Sequence, residues 1–332
     1  MRSQSQTVEP LHNVTDESEV ATKCKNNKTR KPISAVRILF YVSFTIIPTL
    51  HFIFFYVVVN FNSFIMAFQR IVGEQTVWSL NNFTMFFDEL GNTASDIYIA
   101  FRNTFITFGI NIIMFFVSFF VSYFLYKKIW GHTFFRICFF LPSVIAATVT
   151  SSFFIKLISV DGPVAPIIQK IYNLEYIPDI LDEARFANGA IFANLIWLSF
   201  PSNMILLGGS FSRIPDSVLE SAQLDGISWI REAFSIIMPL VWPTFGLLLM
   251  LSIIGIFGAT GNVFLFTKGR NGTMTLNVWM YLQIYENITS PNLENNIYNY
   301  LSAVGFMITV ISVFLSVIIR KINGKIFTDV AY

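Results

Sequence analysis

The chain has 332 residues, 54% of them hydrophobic and 13% charged, with a mean hydropathy of +0.60. Soluble domains carry about a quarter charged residues, so an ordinary soluble fold is excluded and one membrane domain fits the length better than two soluble ones. A net charge of +2 leaves no basic field for nucleic acid. Cys24 and Cys138 imply no disulfide framework. His12, His51 and His132 are scattered, without a neighbour at metal-ligand spacing.

Residues 1–36 are rich in Ser, Thr, Asn and Lys and lack apolar periodicity, which predicts a disordered cytoplasmic tail. No short apolar core with a small-residue cleavage site follows the start, so the stretch does not read as a signal peptide. Lys23, Lys25, Lys28, Arg30, Lys31 and Arg37 abut the first apolar run, and basic residues at the inner edge of a membrane place this end in the cytoplasm. Six apolar runs follow, at about 38–59, 102–126, 134–157, 190–211, 238–258 and 299–319. Each approaches the roughly 20 helical residues needed to cross a bilayer core. The prediction is an all-α polytopic membrane protein with about six transmembrane helices over residues 37–321 and a cytoplasmic C-terminal tail at 322–332. The segments assigned to the inside hold about 15 of the 22 Lys and Arg, the asymmetry that the topology rule requires. His51, in the first run, reads as a helix-packing residue rather than a proton relay.

The outer segments differ in character. The first, about 60–101, contains Asn81-Asn82-Phe83 and Phe87-Asp88, and Arg102-Asn103-Thr104 follows it. The second, about 158–189, mixes Pro, Asp and Glu with Ile and Tyr and is expected to lie along the outer surface. The third, about 259–298, contains Thr267-Lys268-Gly269-Arg270-Asn271-Gly272-Thr273 and N-x-T sequons at Asn271 and Asn287, which an asparagine-rich composition explains.

Between the fourth and fifth runs, one cytoplasmic stretch carries helix grammar. Pro215 suits a first helical turn, and Ser217 with Glu220 has the spacing of a capping box. Asp225-Gly226 supplies a stop, because glycine accepts the left-handed conformation that ends helices. Ser228 can cap a second helix whose Trp229, Phe234 and Ile237 lead to Pro239. A helix–turn–helix elbow is expected between two spans, its coupling loop covering residues 212–239.

Glu220-Ser221-Ala222, then Gly226, then Ile236 and Pro239 resemble the EAA motif of ABC importer permeases. Asp225, Trp229, Phe234 and Pro243 make the stretch similar to the carbohydrate-uptake branch. Ser221 replaces a small alanine of the family and Met238 a leucine. Arg136 through Pro142 looks like the family's R-x-x-F-x-x-P entry to a helix, and the long first outer segment looks like that of the larger-type sugar permease subunit. In place of a threonine followed by a Gly-Gly-Pro turn, this chain has Thr267–Thr273, with charges at Lys268 and Arg270.

The resemblance implies the type I importer permease fold, with the elbow as a coupling helix docked on a separate ATPase. Glu220, Ser221, Ala222, Asp225 and Gly226 would face that partner, and Ile236 and Pro239 would anchor the elbow to the membrane domain. It further implies a second permease chain in a heterodimer, an ATPase dimer that holds ATP and magnesium, and an extracytoplasmic solute-binding protein. This chain itself would hold no cofactor and lie in the cell membrane with both termini cytoplasmic.

The residues agree that catalysis lies elsewhere. There is no G-x-x-x-x-G-K-[ST] to cradle phosphates and no H-E-x-x-H or nucleophilic triad. The spans lack the buried charges expected of ion-coupled transport. They hold neutral polar groups instead, of which Asn111, Asn194 and Asn262, with Trp197 as a stacking face, are the candidate solute pathway. The alternative for each is a helix–helix contact. The solute class also stays open, between a sugar, glycerol phosphate, a polyamine or another solute, and a non-transporting receptor or scaffold is the reading from a different class.

Overall fold

The computed structural model describes residues 35–73, 75–258, 262–289 and 296–326. Most of the expected N-terminal tail and residues 327–332 lie outside the described residues. Within the expected tails, Ala35 and Val36 already begin a helix, and residues 322–326 continue the last one. The chain divides into two compact units, residues 1–60 and 61–332.

The first unit contains helix α1 (Ala35–Phe52), a wide π turn over Ile53–Val58 and the start of α2 (Val59–Ala67). From Leu39 to Asn60 every side chain is exposed, which suits an apolar helix surrounded by hydrocarbon. Its polar side chains bond back to helix carbonyls: Thr45 Oγ1 to Tyr41 at 2.7 Å and Asn60 Nδ2 to Tyr56 at 2.6 Å. Without water, such groups must be satisfied from within the helix.

The second unit begins with a hairpin, β1 (Gln69–Val72) antiparallel to β2 (Gln75–Trp78), followed by α3 (Asn81–Gly91). These ordered elements occupy the first expected outer segment, and Asn82 fastens them by donating to the carbonyls of Ala67 and Gln69. Helix α4 (Asp96–Tyr126) starts early because Ser95 caps it, accepting from the Tyr98 amide at 3.3 Å.

The third apolar run is not one straight span. It forms α5 (His132–Val144) and α6 (Ala147–Ile158), bent by 105°. Pro142 withholds the amide that would bond the Cys138 carbonyl, and two residues later the helix gives way to extended backbone at Ile145 and Ala146. After α7 (Ala165–Tyr172) come α8 (Ala184–Phe211), α9 (Asp216–Leu224) and α10 (Trp229–Glu232), a π turn at Ala233–Ile237, and α11 (Met238–Ile254). Short α12 (Val263–Phe266), α13 (Leu276–Thr289) and α14 (Ile297–Ile326) complete the order. Among the described residues five helices are long and apolar enough to cross a membrane, or six if the bent pair is one span.

Helix α4 packs most extensively against α8. One core lies at the elbow end, where Phe115, Phe119 and Tyr123 of α4 meet Leu207 and Phe211 of α8 and Ile237, Val241 and Phe245 of the α10–α11 helix. A second lies at the other end, around Phe86, Phe101, Phe257, Trp279 and Tyr300. Much of the third expected outer loop thus belongs to the fold. Leu276 and Trp279 of α13 are buried there because their apolar surface has α4 and α14 to cover it, while Val278 packs with Ile191 of α8 and Val263 and Phe266 of α12.

Candidate functional site: the elbow and the polar helix contact

The elbow is a short helix with one inward face. Val218 and Leu219 of α9 pack on the elbow-end core, and Ala222 is buried. Its start differs from the capping-box expectation. Pro215 holds the cap position in extended conformation, and no side chain caps the helix. Ser217 therefore lies inside the first turn, where its carbonyl accepts from Ser221 Oγ at 2.8 Å.

The end of α9 matches its grammar. Gly226 has φ +65°, the Gly226 amide bonds the Gln223 carbonyl at 3.1 Å, and the Ile227 amide reaches back to Ala222 at 3.4 Å. These two bonds form a Schellman closure, and the left-handed residue it needs is the glycine.

Glu220, Ser221, Asp225 and Gly226 are exposed, whereas Ala222 is turned inward. A partner surface would therefore approach Ser221 and Gly226 closely, while Ala222 lets α9 seat tightly on its own chain. Leu224 is 89% exposed at the tip. Sequence reasoning passed over it, although a signal was present: it lies about 200° around the helix from Ala222, opposite the inward face.

The second half of the elbow is continuous with α11 rather than separate from it. Ser228 stands at the cap position of α10 without a side-chain bond. The helix then runs from Trp229 to Ile254. Pro239, in its third turn, offers no amide to the Ser235 carbonyl, and the wide turn just before it absorbs the mismatch. Ile236 sits in that wide turn against the core. Motion of the elbow would thus reach the membrane helix directly.

Three side chains of the α4 end brace this joint. Lys127 Nζ donates to Glu232 Oε2 at 2.8 Å and to Tyr123 Oη at 3.3 Å. Tyr123 Oη donates to the Trp229 carbonyl at 3.4 Å, and Tyr126 Oη to the Ile214 carbonyl at 3.1 Å. Glu232 is 2% exposed, and its Oε1 has no partner among the described residues. In the sequence Lys127 is one of the basic residues of the short turn between the second and third apolar runs. Its partner, 105 residues away, is not legible there, because ion pairing between distant helices leaves no local pattern.

The pathway candidates separate. Asn194 and Asn262 meet: Asn262 Nδ2 donates to Asn194 Oδ1 at 2.9 Å. Asn194 is 1% exposed, and its own Nδ2 has no partner among the described residues. One turn along α8, Trp197 stacks on Phe154 of α6 at 6.1 Å, and Phe154 stacks on Phe266 of α12 at 5.9 Å. Asn111 is half-buried on α4, and no hydrogen bond joins it to the others among the described residues.

The Thr267–Thr273 stretch makes its turn without a Gly-Gly-Pro sequence. Lys268, Gly269, Asn271 and Gly272 all have positive φ. Asn103 Nδ2 holds the turn by donating to the carbonyls of Gly272 and Met274, and Asn188 Nδ2 also reaches Gly272.

No family model matches the chain. It is 26% identical over 203 residues to the multiple sugar-binding transport system permease protein MsmF of Streptococcus mutans, a match covering 60% of this chain and 66% of MsmF. It is 30% identical over 152 residues to the lactose transport system permease protein LacF of Rhizobium radiobacter, covering 44% of this chain and 51% of LacF. Over these stretches the chain is similar to permeases of sugar-transport systems. The matched stretch spans just under two thirds of MsmF and about half of LacF. The chain also superposes on a chain of a bacterial ABC transporter involved in the import of the acidic polysaccharide alginate. There the TM-score is 0.67 at 15% identity, covering 87% of this chain and 96% of the other. A second structure of the alginate transporter, in complex with an alginate pentasaccharide-bound periplasmic protein, matches with the same TM-score. This likeness establishes a permease fold for the chain.

Proposed function

We propose that the chain is one transmembrane permease subunit of an ATP-driven importer, carrying a sugar delivered by an extracytoplasmic solute-binding protein. The elbow carries this reading. Its exposed tip, from Glu220 to Gly226, is closed by a glycine turn and runs without interruption into a membrane helix. That is the shape of a lever, with a docking end and a rigid arm. The relatives named for sugars, and the alginate transporter's binding-protein complex, support the solute class and the delivery partner.

In this mechanism a separate ATPase dimer holds ATP and magnesium, and this chain contributes no catalytic residue. Closure of the dimer pulls on Glu220, Ser221, Leu224 and Gly226. The α10–α11 helix transmits the movement, and access to the solute path switches. ATP can drive the switch only by favouring one permease arrangement over the other, since a ligand shifts an equilibrium by its differential affinity. One elbow serves half a transporter, so a second, non-identical permease chain completes it. The basic residues at both ends support a cytoplasmic position for the termini and the elbow.

The deciding experiment is ATP hydrolysis by the purified complex in lipid, with and without its binding protein, across a sugar panel. Stimulation by one sugar-loaded binding protein is expected. A chain that co-purifies with no ATPase would overturn the reading in favour of a receptor or scaffold. The panel should include uronates and sulfonated sugars, because Lys268 and Arg270 are exposed and have no ion-pair partner among the described residues. A relative at 34% identity over 108 residues is a sulfoquinovosyl glycerol permease.

Asn194 and Asn262 are the polar pair placed to meet a hydroxylated solute. Each hydrogen bond is worth about 1 kcal/mol, so Asn194→Leu is expected to raise the uptake KM about fivefold. Unchanged uptake kinetics would make the pair a helix–helix contact.

A further inference from the structure

A cavity of about 450 Å³ lies at the root of the elbow, between α4, α5 and α8. Its polar lining is sparse: the guanidinium of Arg136, the hydroxyls of Ser122 and Ser212, and Tyr126. No carboxylate lines it, and Arg136 has no ion-pair partner among the described residues. Ser122 is 4% exposed, and its hydroxyl has no hydrogen-bond partner among the described residues. A buried hydroxyl left unpaired is unfavourable, and a ligand oxygen in the cavity would relieve it. Gly208 and Gly209 form part of the wall, and a Cβ on either would meet nothing within 4 Å. The space at their backbone is open.

The position along the helices identifies the depth. Arg136 lies one turn into α5, and Ser122 one turn before the end of α4, each about 5–6 Å inside its helix end. The connecting turn carries Lys128 and a Trp130 that is 95% exposed. Tryptophan beside basic residues at a helix end belongs to the membrane–water interface. A cavity one turn deeper lies where phospholipid headgroups meet their acyl chains, and its remaining wall is apolar, with Phe140 and Ile205 available to a chain.

We propose that this cavity binds the phosphate head of an anionic phospholipid, with Arg136 and the Ser122 hydroxyl as its ligands. The site bears on the elbow because Tyr126, in its wall, holds the Ile214 carbonyl from which α9 starts. The lipid-binding claim rests on the membrane setting and not on the sugar reading, so either can fail alone.

The test is native mass spectrometry of the full chain released from bilayers of phosphatidylcholine containing phosphatidylglycerol. One phosphatidylglycerol per chain is expected to survive, in preference to phosphatidylcholine. Arg136→Gln should lower its retention about tenfold, a loss of about 1.4 kcal/mol, while Arg136→Lys keeps most of it. Gly208→Leu, which fills the cavity, should abolish retention, and circular dichroism checks that the variants keep their helix content. Equal retention of the two lipids, or no effect of Arg136→Gln, would overturn the proposal. Displacement of the lipid by millimolar glycerol phosphate would instead identify a site for a soluble anion. Loss of the lipid whenever a second permease chain is bound would make the groove a subunit interface.

Discussion

Gly226→Arg is expected to abolish uptake while the protein remains folded in the membrane. The residue has φ +65°, a conformation that costs an ordinary side chain about 1–2 kcal/mol. Nothing lies within 4 Å of an added Cβ, so the fold tolerates the atom itself. The damage falls on docking, because a long cation at the tip keeps a partner surface away from Ser221 and the turn. Blocking a central contact of a packed interface costs about 2–4 kcal/mol, or roughly 30- to 700-fold in affinity for the ATPase. Gly226→Ala separates the two effects: it carries the backbone cost with little bulk and should retain most uptake. Normal uptake by Gly226→Arg, with the chain at its usual abundance, would remove the coupling role from the elbow.

Lys127→Met is expected to be the most destabilising single change at the joint. It leaves the Glu232 carboxylate, 2% exposed and already lacking a partner on one oxygen, without its cation. Breaking a buried ion pair from one side typically costs about 3–5 kcal/mol. The double variant Lys127→Met with Glu232→Leu should recover most of that loss, since replacing both charges with apolar groups is often neutral. Thermal unfolding in detergent, followed by tryptophan fluorescence, reads the ordering, with Trp229 beside the pair as a reporter. If the pair also positions the elbow, the stable double variant should show reduced coupling of ATP hydrolysis to uptake. A double variant as unstable as the single one would mean that Tyr123 and the core hold the joint without the charges.

What could be read along the chain followed from rules that act over a few residues. Apolar runs of membrane length, the Asp225-Gly226 stop and the EAA-like spacing are all local. The helix end at Gly226 matches its sequence because a left-handed residue is a property of one position and its immediate neighbours. The resemblance to the EAA motif of ABC importer permeases rests on the same local spacing. The capping box at Ser217 did not form, although its spacing is as good as that of many real ones. Extended Pro215 occupies the cap position, and the helix begins at Asp216.

Tertiary structure decided what depends on residues far apart. No rule of spacing joins Lys127 to Glu232 or Asn194 to Asn262, because each pair is made by helices whose packing is set by the whole apolar core. The 105° bend at Ile145 and Ala146 was hidden for a similar reason. Pro142 marks a weak point in an apolar run, but a proline within a membrane helix can be accommodated or can end it, depending on its neighbours. The sequence by itself determined apolar runs of membrane length and a helical elbow between two of them. The packing decided which face of that elbow is buried, and that its second half is one helix with the span above it.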